Sequence, residues 1–371
     1  MEMVIGLDVH SKNTKCVGQD QSGKDLGRVV VETTEEGLKH MLERYGAPPK
    51  TRIGLETGGQ ARWVFQILER AGMDPVVIEA GEVRAKQSRR GQKDDFRDAK
   101  DICEGLICNQ WKRIVWIPGH EIEQLRYLLL RRNHYVRLCT REIASAKGLL
   151  RSRGISTSKM CLTTEAGWKK LLQRPDVTAL AEDLAMLFAV WKLASKSAAK
   201  IEKRLSKALK PFAKSIKLMA TFFGVGDIGA SAFIAWVGDP HRFPTSNHLI
   251  SYLGLAPSTY DSGEKQRRGH ITKQGPKLLR SILIELAHQA RRLKHPLNPY
   301  YRRLVAKRGK KCALVAIAAR IARILWQMWR KNKPFDIAKL NVVAGLVTRL
   351  TRYHYQLREQ ALARHLAATQ R

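Results

Sequence analysis

Asp95 and Asp98 are residues whose type and spacing could do chemistry. They stand in the run Gly91-Gln92-Lys93-Asp94-Asp95-Phe96-Arg97-Asp98-Ala99-Lys100. The segment from Asp94 to Cys108 lacks proline, is mostly helix-compatible and ends near Asn109. On a helix, residues three apart share a face, so the two carboxylates project together. Carboxylates that close repel each other unless a proton or a cation lies between them. An oxygen-only pair suits Mg²⁺, which prefers carboxylates and water, with Mn²⁺ as the alternative. The same residues also fit a solvated helix start, where Asp is favoured for its own reasons. Spacing alone leaves both readings open.

The elements that must position this pair come before it. Residues 3–9 read as a buried strand ending near Asp8, and 14–19 and 26–32 as two more strands joined by the turn at 20–24. A helix is expected over 34–46, with Thr34 as N-cap and Gly46 as stop. Residues 52–56 form a short strand closing on Glu56, followed by Thr57-Gly58-Gly59. Next come a helix at 60–71, a strand at 75–78 and a helix at 81–89. A three-strand meander followed by α-β-α-β-α suits a mixed sheet with helices on its faces. This is the element order of an RNase H-like domain. There, the first and fourth strands are neighbours and the last helix crosses their ends. Asp8, Glu56, Asp95 and Asp98 would then converge where two metal ions can stabilise the attacking and leaving oxygens of a phosphodiester. Taken singly, Asp8 and Glu56 are ordinary strand-end residues; the joint pattern carries the expectation.

Charge names the partner class. The 371 residues hold 67 Lys and Arg against 33 Asp and Glu, a formal charge of +34. Residues 1–100 hold 17 basic and 16 acidic residues, so nearly all of the excess lies in 101–371. Such an excess points to a polyanion, and nucleic acid rewards Lys and Arg through counterion release. No apolar run approaches the roughly 20 residues that span a bilayer, and the N-terminus lacks signal-peptide form, so no membrane partner is expected. The six cysteines show no Cys-x-x-Cys spacing, which argues against a zinc knuckle or a disulfide framework and fits a reducing cytosol.

Further along, residues 121–152 are helical by pattern, with Leu129, Val136, Ile143 and Leu150 seven apart, supported by Leu125, Cys139 and Ala146 and interrupted by Arg132. Residues 151–164 read as a polar loop. Leu180, Leu184, Leu187, Trp191, Ala194, Ala198, Ile201, Leu205, Ala208 and Phe212 then step by four and three, the period of a coiled coil, with Pro211 where the helix should fray. Pairing within the chain and pairing between subunits both fit. Phe223-Gly224-Val225-Gly226-Asp227-Ile228-Gly229 resembles a helix-hairpin-helix turn, where Gly224 and Gly226 would let a phosphate approach backbone N–H groups; a tight core connection fits equally well. Residues 257–275 form a loop or hairpin dense in cations, with Lys265, Arg267, Arg268 and Lys273 suited to phosphate. Ser262 is one of several hydroxyls there, and a serine in a turn is ordinarily a turn residue. A helix follows at about 277–292, and residues 312–331 form an amphipathic helix.

Three stretches carry a resemblance. Ile5-Gly6-Leu7-Asp8-Val9-His10-Ser11-Lys12, Gly54-Leu55-Glu56-Thr57-Gly58-Gly59 and Lys93-x-Asp95-x-x-Asp98-Ala99 resemble the DEDD-type insertion-sequence transposases. That family includes the Piv-type DNA invertases and the recombinases guided by a bridge RNA. Asp94 stands where Thr is common, a small departure. The elements Gly254-Leu255-Ala256-Pro257, Ser262-Gly263 and Lys273-Gln274-Gly275 resemble the family's C-terminal transposase domain.

The resemblance implies a RuvC-like domain whose metal ligands are Asp8, Glu56, Asp95 and Asp98, and a nucleophilic serine at Ser262. It further implies a structured guide RNA and assembly through the helical middle. The organisation expected is a RuvC-like domain (1–112), a helical coiled-coil region (113–215), a mainly α-helical transposase domain (216–336) and a basic helical tail (337–371). The function expected is a cytoplasmic, nucleoid-associated recombinase, a dimer or tetramer that cuts and rejoins donor and target DNA through a phosphoserine link. A metal-dependent junction resolvase with Ser262 idle, and a non-catalytic nucleic-acid-binding protein, are the competing classes.

Overall fold

Val4, Ile5 and Leu7 are buried in a seven-residue strand, β1 (Met3–Val9), around which the first part of the chain is laid out. The computed structural model describes residues 3–86, 95–157, 162–262 and 265–340; at 95, 259–262, 265–268, 339 and 340 it describes the backbone alone. The chain divides into two compact units, Met1–Pro118 and Gly119–Arg371.

In the first unit β1 is followed by β2 (Asn13–Asp20), β3 (Asp25–Glu32), α1 (Glu35–Tyr45), β4 (Arg52–Glu56), α2 (Ala61–Arg70), β5 (Asp74–Ile78), α3 (Ala80–Lys86) and α4 (Asp95–Ile107). The sheet order is β3-β2-β1-β4-β5; β1 pairs with β2 antiparallel and with β4 parallel. The mixed α/β sheet expected from the element order is present. Thr34 caps α1 by accepting from the Gly37 N–H, and Gly46 ends it in the left-handed region at φ 57°.

Alternation along the strands sorts the side chains into two layers. Ile5, Leu7, Ile53, Leu55 and Val77 bury against Leu38, Met41, Val64 and Leu68. On the other face Val4, Val76 and Ile78 meet Ile102, Cys103 and Leu106 of α4. That second face also carries Gly6 and Gly54, which are paired in register across β1 and β4. A Cβ on Gly6 would stand 1.9 Å from the Ala99 carbonyl oxygen, and one on Gly54 2.6 Å from Leu106 Cδ1. The two glycines form a notch in which α4 rests on strand backbone.

The second unit opens with two long helices, α5 (His120–Ser152) and α7 (Ala181–Ala208), which pack together with α6 (Glu165–Leu172) between them in sequence. Leu184, Trp191, Ala194, Ala198, Ile201 and Leu205 are buried on α7, and Leu125, Leu129, Ala146 and Leu150 on α5. Arg132, which interrupts the apolar stripe of α5, reaches Glu202 of α7 with Nε 2.7 Å from Oε1. At Lys210–Phe212 the α-helix gives way to a 3-10 turn containing Pro211.

Beyond lie α8 (Ala213–Met219), α9 (Asp227–Val237), α10 (Ser246–Tyr252), the hairpin β6 (Pro257–Ser262) and β7 (Lys265–Ile271), α11 (Lys277–Gln289) and α12 (Asn298–Lys331). The helix expected at 312–331 is the second limb of a longer element. α12 starts at Asn298 and breaks at Gly309, whose φ of 75° and ψ of 165° are not helical. Among the described residues α12 alone is long and apolar enough to cross a membrane, which the sequence pattern did not anticipate. Its Ile317, Ala318, Ile321, Ala322 and Leu325 are packed in the core of this unit. The expected helix end at 87–89 and the tail from 341 onward lie outside the described residues.

Candidate metal centre and serine hairpin

Asp8 follows the last matched pair of β1 and β4, Leu7 with Leu55, and Glu56 follows it on the other strand. Parallel pairing therefore sets the two carboxylates on neighbouring strand ends, on the face that carries Gly6 and Gly54. Beyond Glu56, the Thr57 N–H donates to the Ile78 carbonyl and Thr57 Oγ1 accepts from the Ala80 N–H, which fixes the strand end against β5 and α3.

Asp98 precedes Ala99, the residue seated in the glycine notch, and so enters the site with the first turn of α4. Glu56 responds to the charges of both other acids. Burial, chiefly, holds it above the usual carboxylate range; Arg84 opposes that, while Asp8, Asp98 and Glu79 add to it. Arg84 Nη2 lies 3.9 Å from Glu56 Oε1. Asp95 is the first residue of α4; its side chain lies outside the described residues.

The donor set is all oxygen and mutually repulsive, which fits a hard divalent cation. Among the described residues no three His, Cys, Asp or Glu side chains stand close enough to hold an ion. Asp8, Glu56 and Asp98 therefore form no closed coordination shell by themselves, and the fourth expected ligand is Asp95.

Ser262 ends β6 and pairs in register with Lys265, the first residue of β7; Arg267 pairs with Tyr260 and Arg268 with Thr259. The side chains of these residues lie outside the described ones. Lys273 follows the hairpin, exposed, at φ 57°. Gly224 has φ 79°, and a Cβ there would stand 3.3 Å from Gln289 Cγ; Gly226 is the N-cap of α9.

Two groups at the carboxylates had no role in the sequence reading. His10 Nε2 lies 2.9 Å from Asp8 Oδ2, and Arg84 faces Glu56. The i, i+2 spacing of Asp8 and His10 was a usable signal, since such residues share a strand face; nothing in the sequence pairs Arg84 with Glu56.

Residues 5–153 match the DEDD transposase family of IS110 elements, described as Transposase, and residues 216–302 match the Transposase IS116/IS110/IS902 family. The chain belongs to the DEDD transposases of IS110/IS116-type insertion sequences. Similar proteins agree. This transposase is 28% identical over 313 residues to the Sinorhizobium fredii protein y4pF/y4sB, covering 81% of this chain and 78% of that one. It is 24% identical over 351 residues to the transposase for insertion sequence element IS1111A of Coxiella burnetii, covering 90% and 91%. The pilin gene-inverting protein of Moraxella lacunata is 31% identical over 122 residues, 32% of this chain and 38% of that protein. Membership implies action on DNA and a divalent metal in the DEDD domain.

Proposed function

We propose that this transposase cuts and rejoins DNA with Ser262 as nucleophile and with Asp8, Glu56, Asp95 and Asp98 as the ligands of Mg²⁺, or of Mn²⁺. The observation that supports the reading is the parallel register that sets Asp8 and Glu56 on neighbouring strand ends, on the face where α4, with Asp98 in its first turn, rests on Gly6 and Gly54. A bound divalent cation would neutralise charge on the phosphodiester. Ser262 Oγ attacks phosphorus, forming a phosphoserine ester as one DNA end leaves as a hydroxyl and takes up a proton. Attack by the hydroxyl of another end reverses the step, releases the serine and conserves the bond, so no ATP is needed. Lys265, Arg267, Arg268 and Lys273 would hold phosphates near the serine, and the Gly224–Gly226 turn would present backbone N–H groups to another.

The same reading includes a guide RNA, a homo-oligomer and a cytoplasmic, nucleoid-associated location. The charge excess outside residues 1–100 supports an RNA as well as DNA. Self-association is supported by a second apolar row on α7, Met186, Val190 and Leu193, which stays exposed while the first row is buried. The proposed bounds remain 1–112, 113–215, 216–336 and 337–371.

The test supplies the protein with RNA transcribed from its own element's flanks and with donor and target DNA. Recombinant junctions and a DNA-linked protein band are expected, both lost in Ser262→Ala. Strand cleavage surviving that substitution would refute the serine step and favour a plain nuclease. Unchanged activity in Asp95→Asn with Asp98→Asn would remove the metal site from the reaction.

A further inference from the structure

We propose that His10 is a positioning residue for the carboxylate site: its Nε2–H holds Asp8 Oδ2 and so fixes the rotation of that carboxylate. The inference rests on the reading of Asp8 as a metal ligand. The hydrogen bond is 2.9 Å, between an imidazole that is 48% exposed and a carboxylate that is 19% exposed. A carboxylate at a strand end turns about two side-chain bonds. A donor on one oxygen removes most of that freedom before a cation arrives.

The backbone beneath the ring is built to hold it. β1 ends at Val9, and His10 opens the turn into β2. The His10 N–H donates to the Asn13 carbonyl at 3.1 Å, closing the turn. Thr33, which follows the end of β3, then grips the turn from the side. Its Oγ1 donates to the His10 carbonyl at 2.8 Å, and its N–H donates to the Lys12 carbonyl at 2.8 Å. Thr33 Oγ1 is also 2.8 Å from Thr14 Oγ1, and both threonines are buried. A buried hydroxyl pair is kept only where its hydrogen bonds are made. Here one of them ends on the carbonyl of the residue whose ring reaches Asp8. Thr14, Thr33, His10 and Asp8 thus form a chain of contacts running from the core of the sheet to its functional end.

The experiment titrates the full chain with Mn²⁺, following free Mn²⁺ by electron paramagnetic resonance, in wild type, His10→Ala, His10→Gln and Asp8→Asn. Loss of an outer partner of a metal ligand weakens metal affinity by about 10–100-fold, and that loss is expected for His10→Ala. His10→Gln, which can still donate to Asp8, should recover most of the affinity; a purely structural defect would not be rescued this way. Thermal unfolding without metal, unchanged in both His10 variants, confirms that the fold is intact. Wild-type affinity in His10→Ala, while Asp8→Asn loses binding, would overturn the role of His10 and leave the metal site standing. Equal weakness in His10→Ala and His10→Gln would overturn it too, because the ring would then be acting as something other than a donor. Full binding in Asp8→Asn would remove the metal-site reading together with this one.

Discussion

The carboxylates of the first unit and the serine of the second stand on very different supports. Asp8 and Glu56 end adjacent strands inside a five-stranded sheet, with α4 pressed onto strand backbone beside them. Ser262 ends a strand of a two-stranded ribbon that gains no third strand among the described residues. A lone two-stranded ribbon is marginally stable, whereas a central strand is held on both sides. A metal site needs fixed ligand distances. A serine that stays joined to one DNA end while another approaches, as proposed, has no such need.

The largest effects should separate the two supports by what is lost. Asp98→Asn and Ser262→Ala are each expected to lower strand exchange by at least about a thousandfold. Only Asp98→Asn should also abolish Mn²⁺ binding in a titration without DNA. Equal loss of Mn²⁺ binding in Ser262→Ala would erase the division of labour.

Next comes the seat of α4. Gly6→Ala places a methyl group against the Ala99 carbonyl and is expected to cost about 3 kcal/mol or more, as overpacking with backbone displacement does. The nearest atoms to a methyl group in Gly54→Ala belong to the side chains of Leu106 and Ile102 rather than to backbone, and it should cost less. Urea unfolding of the two variants gives the order, and the reverse order would argue that strand backbone does not bear the helix.

Acid should reach the two units at different pH. In the second unit His295 is buried, its Nε2 has no hydrogen-bond partner among the described residues, and burial with some help from Arg292 pushes it down to about 4. Unfolded, it titrates near 6.5, so it takes up a proton on unfolding, and stability falls as pH drops from about 6.5 through 4. In the first unit burial works to raise Glu82. Lys86 Nζ and the N–H groups of Lys112 and Arg113 outweigh it and hold the acid at about 2. Its stabilisation is complete above about 4.5 and is lost between there and 2. Hydrogen exchange followed by region should therefore show the second unit loosening first on acidification. His295→Phe should flatten its slope, and Glu82→Gln should cost about 1.5–3 kcal/mol at neutral pH but little near pH 2.

The smallest effect belongs to single cations. Lys273→Ala should reduce the salt dependence of DNA binding by about one counterion, and an unchanged slope would take this residue off the phosphate path.

Most of the first unit was legible because its signals are local. Strand ends at Asp8 and Glu56, the cap at Thr34 and the stop at Gly46 fall within a residue or two of expectation. The notch was not, since a glycine in a strand announces close approach without saying of what; only the pairing of Gly6 with Gly54 and the weight of α4 on both explain it. Arg84 escaped for the same reason, being 28 residues from its carboxylate. In the second unit Gly309 and the basic residues on either side of it separate the legible apolar limb at 312–331 from the first limb, and so hid the true start of α12 at Asn298. The sequence at 257–271 reads equally as loop or hairpin because its charges repeat without a clean alternation, and the structure forms the hairpin.

The glycine notch has one more consequence, which concerns ionic radius. Where α4 stands is set by contact with strand backbone, and a backbone contact cannot be relieved by a change of rotamer. The gap between the sheet carboxylates and Asp98 thus behaves as a fixed gauge. Mg²⁺ takes ligands at about 2.0–2.1 Å and Ca²⁺ at about 2.3–2.6 Å in looser shells. A gauge that cannot stretch discriminates between them by size, so Ca²⁺ should compete poorly at this site, and Gly6→Ala, by pushing the Ala99 carbonyl and the helix with it off the strand, should shift the preference toward the larger ion.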